Sequence, residues 1–289
     1  MALKSDRVSV IVSSYNRPDM LRLALLSLNH QSLIASEVLV ADDGSHIDMV
    51  GPLQDILQEL SFSLRFVTHP DKGFRLAKAR NNGVRSATGD FLIFTDQDIV
   101  LTKHYVRNMV EQREKSRFLV SFPVRLTEAQ TARVTEDVIR GCQYDGIASD
   151  DQRSQILKQH RKDLFYRILY SLRLRPIGPK LRGGVFAVAK EDYLAVNGFD
   201  ENFQGWGNED DDLGHRLYRI GVRGINVTRD EFPIHLHHPS HGTPGARPNR
   251  EYYLERLREI RKGDFRCRYG IETPLGGDES VVTTMKASH

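Results

Sequence analysis

The sequence predicts an α/β fold, with a mostly parallel sheet, helices on both faces and a more mixed second half. Three observations carry that expectation. Short β-branched or apolar runs at 8–13, 37–41 and 63–68 alternate with segments of helical spacing, the pattern of βαβ units. Phe91-Leu92-Ile93-Phe94 has no polar alternation, so it reads as a strand covered on both sides. Two carboxylate pairs, Asp42-Asp43 and Asp96-Gln97-Asp98, stand directly after such runs, at the strand ends where open α/β sheets bind ligands.

Taken in order, 8–13 is a strand. Ser14-Tyr15-Asn16-Arg17-Pro18 then turns, with Asn16 placed to cap and Pro18 near the first helical position. Leu21, Leu25 and Leu28 recur at helical spacing behind it. The second strand ends at Asp42-Asp43-Gly44-Ser45, and Val50, Leu53, Leu57 and Leu60 predict another helix before the strand at 63–68. Lys72-Gly73-Phe74-Arg75 leads into a helix over 76–87, where Ala79, Gly83 and Ala87 form a small-residue face for close approach to the sheet. Lys78, Arg80 and Arg85 share that helix, and Arg80, one turn before Gly83, is within reach of a phosphate. Gly89-Asp90 delivers the chain to the strand at 91–94.

That strand ends in the most informative chemistry. In extended backbone, residues two apart point to one side, so Asp96 and Asp98 can converge while Gln97 faces away. Two carboxylates so close repel unless a shared proton or a cation neutralises them, and at a buried strand end a cation is the better expectation. An isolated Asp-x-Asp is more often a solvated turn, so the neighbours must decide.

Beyond Asp98 the pattern loosens into a helix near 105–114, a strand at 118–122 and mainly polar helix over 127–174. Within it, 161–175 interleaves arginines with Leu164, Phe165, Ile168, Leu169 and Leu172. The ordinary reading is a packed helix with a solvated basic face; the sharper one is contact with a membrane surface or an anionic acceptor. Arg182-Gly183-Gly184 turns into a strand at 185–188. Gly205-Trp206-Gly207-Asn208 precedes Glu209-Asp210-Asp211-Asp212 and a helix marked by Leu213, Leu217 and Ile220. Acids are favourable at a helix N-terminus, but four beside the single Trp exceed what capping needs. The flanking glycines suggest a mobile loop able to close an aromatic lid. His235, His237 and His238 cluster at a strand end, a metal candidate in a chain that already holds a carboxylate pair. A charged helix is expected over 249–262, and the tail from 273 is expected to lack structure.

Composition excludes some classes. The 289 residues are 39% hydrophobic and 27% charged with net charge +3, which offers no case for nucleic acid. Cys142 and Cys267 fit neither a metal spacing nor a disulfide framework. No apolar run approaches the ~18 residues of a membrane span, and no signal-peptide core opens the chain. The expectation is a cytoplasmic protein, with peripheral membrane contact open through 161–175.

These pieces together resemble the GT-A glycosyltransferases, specifically glycosyltransferase family 2. Val10 to Arg17, Asp42 to Ser45, Lys72-Gly73, Ala79 to Gly83 and Gly89 to Asp98 carry the first part. Arg182-Gly183-Gly184 and Gly205 to Asp211 are similar to bacterial chondroitin polymerase domains and β-1,4-galactosyltransferases. The resemblance spans roughly 7–240. It implies a Rossmann-like GT-A domain over 1–272, with a nucleotide-binding half at 7–98, an acceptor and metal half at 99–245, a C-terminal helix at 246–272 and a tail at 273–289. It implies a UDP-sugar donor, a saccharide or lipid-linked saccharide acceptor and Mn2+ or Mg2+. By the same resemblance Ser13, Tyr15, Arg17 and Asp43 hold the nucleotide, with Gly184 and Trp206 at the donor and Lys72 or Arg80 assisting the diphosphate. Asp98 is the direct metal ligand with Asp96 nearby, His235 completes the shell with His238 second, and Asp210 is the general base beside Glu209. Retaining relatives with a similar Trp element have Asn at the position of Asp210, so inversion is implied. Asn208 departs from the pattern, standing where a glycine is common.

Two rival readings arise, and the first, a nucleotidyltransferase or dinucleotide enzyme, is set aside. A dinucleotide enzyme predicts a Gly-x-Gly-x-x-Gly turn after the first strand, but Ser13 to Pro18 contains no glycine. A metal-dependent carbohydrate-binding module explains the acids, Trp206 and the histidines, but not the Asp42-Asp43 turn or the Arg80 helix.

Overall fold

The computed structural model describes residues 3–228, 231–239 and 248–287. The first half runs β1 (Leu3–Ser14), α1 (Pro18–Asn29), β2 (Leu33–Asp42), β3 (Ser63–Thr68), α2 (Leu76–Ser86) and β4 (Phe91–Asp96). Next come β5 (Ile99–Val100), α3 (Tyr105–Glu111), β6 (Arg117–Val120), β7 (Val124–Arg125), the short α4 (Glu128–Thr131) and α5 (Glu136–Arg140), and the long α6 (Asp150–Ser171). The remainder is β8 (Val185–Ala189), α7 (Lys190–Ala195), α8 (Glu209–Arg219), β9 (Arg223–Asn226), β10 (Ile234–His235), α9 (Arg250–Lys262) and β11 (Val281–Lys286).

The main sheet has the order β11-β3-β2-β1-β4-β8-β6-β9. Strands β3, β2, β1 and β4 are parallel, β8 lies antiparallel between β4 and β6, and β9 is parallel to β6. One continuous sheet therefore joins the two halves. Side-chain alternation along β1 feeds a core on each face, with Val10 and Val12 in one and Ile11 in the other. Gly83 of α2 is needed for contact with the sheet, since a Cβ there would come within 2.8 Å of the Ile11 Cγ2 atom.

Register positions the site. β1 pairs Ser13 with Asp96 and Ser14 with Asp42, so the carboxyl ends of β1, β2 and β4 finish level. A small second sheet, β5-β10-β7, pairs His235 with Ile99 and so sets the histidine strand against the residue after Asp98.

Two expectations are corrected. The helix predicted from Val50 to Leu60 is a 3-10 turn, Gly51–Leu53, followed by turns, although Leu53, Ile56, Leu57 and Leu60 are buried. Helical spacing here records only which residues face the core. The tail expected to lack structure forms β11, antiparallel to β3. Its approach is fastened by Arg75 donating to Asp278 (2.7 Å) and Lys78 donating to the Leu275 carbonyl (2.6 Å). Among the described residues, no helix is long and apolar enough to cross a membrane.

Candidate active site

The site begins with the β1–α1 turn. Gln97, expected merely to face away from the carboxylates, pins this turn from both sides: its Oε1 accepts from the Tyr15 N–H (3.1 Å) and its Nε2 donates to the Tyr15 carbonyl (2.8 Å). Asp42 is spent on its own turn, accepting from the Ser45 N–H and hydroxyl and from Thr68. Asp43 is buried and accepts from His69 Nε2 (2.9 Å) and the Arg75 N–H (2.7 Å). Asn82 donates to the other His69 nitrogen (2.9 Å), which places the ring proton on Nε2. Burial raises the Asp43 pKa, and these donors pull it down only in part. His69 carried no motif signal and was missed, while Asn82 lay within the 79–83 stretch without a role being assigned to it.

Asp98 meets this turn through Arg17 and faces the histidine strand. Its Oδ2 lies 2.8 Å from His238 Nε2 and 3.7 Å from Arg17, and its Oδ1 lies 3.8 Å from His235 Nε2. One ligand atom from each of Asp98, His235 and His238 fits within 4.8 Å of the others, a spacing suited to one cation. His238 Nδ1 faces the Pro239 carbonyl at 2.8 Å and must donate to it, which turns Nε2 toward Asp98. A backbone carbonyl behind the ring is how metal-binding imidazoles are commonly oriented. Asp98 Oδ1 is buried with no hydrogen-bond partner among the described residues, an acceptor aimed into the cluster. Burial raises the Asp98 pKa, but His238, His235 and Arg17 outweigh it and the net shift is downward. These residues therefore fit a divalent cation. His237 points elsewhere and is exposed; its N–H donates to Thr131.

Arg80 organises the other acids. Almost wholly buried, it donates to Ser13 Oγ (3.1 Å), Asp96 Oδ1 (3.0 Å), the Gly183 carbonyl (2.8 Å) and Asp210 Oδ1 (3.3 Å). Its guanidinium is thus committed beneath the carboxylates rather than offered to a phosphate. Lys72, the other expected phosphate partner, is ion-paired with Asp278. Asp210 Oδ2 accepts from the Gly183 N–H (2.8 Å), and a Cβ on Gly183 would lie 2.3 Å from the carboxylate. Glycine is therefore required there, a signal the Gly183-Gly184 pair gave. Gly184 accepts from the Asp96 N–H at 3.3 Å.

Burial raises the pKa of Asp96, with the Asp98 and Asp210 charges adding and Arg80 opposing. Glu209 and Asp210 are likewise raised, burial again leading. Asp96 and Asp98 are thus pushed in opposite directions, a separation typical of sites that divide roles between carboxylates.

Trp206 is 65% exposed at the tip of its loop, whose ends are held in place. Asn249 donates to the Gly207 carbonyl (2.9 Å), and the Gly205 N–H donates to the Phe74 carbonyl (2.9 Å). Asn208 has φ +74°, a left-handed conformation that Asn tolerates better than most residues, so it can stand in for glycine. Of the remaining acids, Asp211 pairs with Lys180, while Asp212 is not a cap at all but a buried partner of Arg216 (2.7 Å).

Comparison with known proteins shows the family and the fold. The family model described as "Glycosyl transferase family 2" matches residues 9–165, and one described as "N-terminal domain of galactosyltransferase" matches 164–241. An uncharacterised glycosyltransferase of Bacillus subtilis, YfnE, is 28% identical over 93% of this chain and 75% of its own length. The chondroitin synthase of Escherichia coli is 26% identical over 79% of this chain, which spans only 35% of that longer protein. The structure of Staphylococcus aureus TarS with UDP-GlcNAc superposes with a TM-score of 0.61 at 16% identity, covering 92% of this chain and 68% of that one, a likeness of fold.

Proposed function

Because the chain belongs to glycosyl transferase family 2, we propose that it moves a sugar from a UDP-linked donor to a hydroxyl of a saccharide or lipid-linked saccharide, with inversion. The relatives named above support a role in bacterial surface polysaccharide or glycoconjugate synthesis. The observation that carries the reading is the Asp98, His235 and His238 cluster, with its unpartnered Oδ1, beside the Arg80-held carboxylates.

In this reading Asp98, His235 and His238 hold Mn2+ or Mg2+, with Asp96 close by. Such a cation, when bound, offsets the charge that grows on a diphosphate leaving group. Ser13, Tyr15 and Arg17 at the β1–α1 turn border the donor together with Asp43, whose carboxylate is held by His69 and the Arg75 N–H. Asp210 takes the proton of the attacking hydroxyl. Arg80 and the Gly183 N–H fix its two oxygens, and its raised pKa makes it a stronger base than a free aspartate. Glu209 is buried beside it, and its own pKa is raised by that burial first and by the Asp210 charge second. A base on the face opposite the leaving group gives inversion in a single displacement. Arg80 acts as a positioning residue for Asp96 and Asp210.

The same reading makes 1–272 one catalytic domain; two units separable by proteolysis near residue 100 would overturn that part. Thermal shift with UDP, with and without Mn2+, tests the central claim, and a screen of UDP-sugars for Mn2+-dependent hydrolysis names the donor. Metal-dependent stabilisation by UDP is expected. A carbohydrate-binding module would ignore the nucleotide, and that result would sink the proposal.

A further inference from the structure

The long helix α6 (Asp150–Ser171) packs Ile156 and Tyr170 against the cores but presents a stripe of other apolar side chains outward. Leu157, Leu164, Phe165 and Ile168, with Leu172 at the helix end, are 43–62% exposed, and Leu174 just beyond is 70% exposed. At 3.6 residues per turn, the five on or ending the helix fall with Arg161 inside an arc of about 100°. In the described structure the only α6 side chain classed as buried is Asp163, on the opposite side, where it accepts from Asn226 (2.7 Å) and Gln159 (3.1 Å). A soluble helix ordinarily turns its apolar stripe inward; here the stripe faces away from the domain.

The charge around the stripe has one sign. Lys158, Arg161, Lys162, Arg167 and Arg173 are exposed, Arg175 is half-buried, and none makes an ion pair among the described residues. Asp163, turned inward, is the one acid between 158 and 175. A second copy of the chain docked through this face would set arginines against arginines. A soluble polyanion would satisfy the cations and leave six large apolar side chains unused. An anionic bilayer surface satisfies both, because phosphate headgroups meet the basic residues while Phe165, Ile168 and Leu172 enter the acyl boundary.

We infer that the outer face of α6, from Leu157 to Leu174, is a docking surface for an anionic lipid bilayer. The inference rests on this face and not on the reaction the protein performs. The test is flotation of the full chain with vesicles of phosphatidylcholine alone and of phosphatidylcholine mixed with phosphatidylglycerol. Binding is expected only to the anionic vesicles and should weaken in high salt. Phe165→Glu combined with Ile168→Glu should reduce it by roughly tenfold or more, as should Arg161→Glu combined with Arg167→Glu. Both pairs are exposed, so unchanged thermal unfolding should accompany the loss. Equal flotation with neutral vesicles would overturn the inference, as would an apolar-pair variant that still floats like the parent. A parent that ignores vesicles but sediments as a dimer, returned to monomer by the apolar pair, would assign the face to a second copy instead.

Discussion

Helix α8 contributes to two arginine-centred acidic clusters that differ in one respect. In the first, Arg80 holds Asp96 and Asp210; in the second, Arg216 holds Asp212 and donates to the Val196 and Gly198 carbonyls, both at 2.7 Å. Arg256 and Tyr252 close the second cluster around Asp200. The carboxylates of Asp96 and Asp210 keep 31% and 27% of their side-chain surface open, whereas Asp212 keeps none. Two residues along a helix is a rotation of about 200°, so neighbouring acids of one block face opposite surroundings. An arginine clamping carboxylates is scaffolding where the cluster is sealed. Where part of the carboxylate stays open, the proposed reading makes the same clamp a support for chemistry.

Paired substitutions should separate the two roles most widely. Asp210→Asn should cost roughly two to four orders of magnitude in transfer rate, the usual contribution of a general base, with UDP and Mn2+ binding retained. Asp212→Ala strands Arg216 without its buried partner and should cost about 3–5 kcal/mol of stability in denaturant unfolding. An Asp212→Ala protein as stable as the parent, or an Asp210→Asn enzyme of near-normal turnover, would erase the distinction. A product of retained anomeric configuration would move suspicion from Asp210 to Glu209.

The histidine cluster offers a smaller contrast of the same kind. His235→Ala and His238→Ala should each weaken Mn2+ affinity, roughly ten- to a hundredfold, read by isothermal titration. His237→Ala, whose side chain stands outside the cluster, should leave it unchanged. If only one of the first two matters, that histidine alone completes the site with Asp98.

Much of this was legible because it depends on local pattern. The Asp96-x-Asp98 pair at a strand end, the Gly183-Gly184 turn and the acids after Trp206 all announce themselves in short stretches. The 3.6-residue period also showed Val50 to Leu60 as core-facing, yet it could not tell a helix from the 3-10 and turn path the chain takes. Long-range pairing stayed hidden. Nothing near Asp278 signals that Arg75 lies across from it, 203 positions away, and so β11 read as tail. Arg80 looked like a phosphate ligand because its charge was visible and its burial was not. The role of Gln97 stayed hidden for a related reason, since its partners are the Ser14 hydroxyl and the Tyr15 backbone, more than eighty positions away.

The finest test asks whether burial beside Asp210 reaches Glu209 as a proton-linked effect. Glu209 is raised from an ordinary value of 4.5, by burial first and the Asp210 charge second, with Arg80 opposing. The folded chain therefore holds this proton more tightly than the unfolded chain does. The stability it contributes is fullest below the ordinary glutamate pKa and is lost as pH rises through the folded one. Glu209→Gln has no proton to lose at that position. Measured by denaturant unfolding without metal or donor, the variant should gain on the parent between about pH 5 and about pH 8. The gain should reach roughly a few kcal/mol across that window, since each tenfold difference in proton affinity is worth about 1.4 kcal/mol. A difference that stays flat across that range would mean the folded and unfolded chains bind the Glu209 proton alike. The open cluster would then owe its chemistry to Asp210 and Arg80 without help from the residue buried behind them.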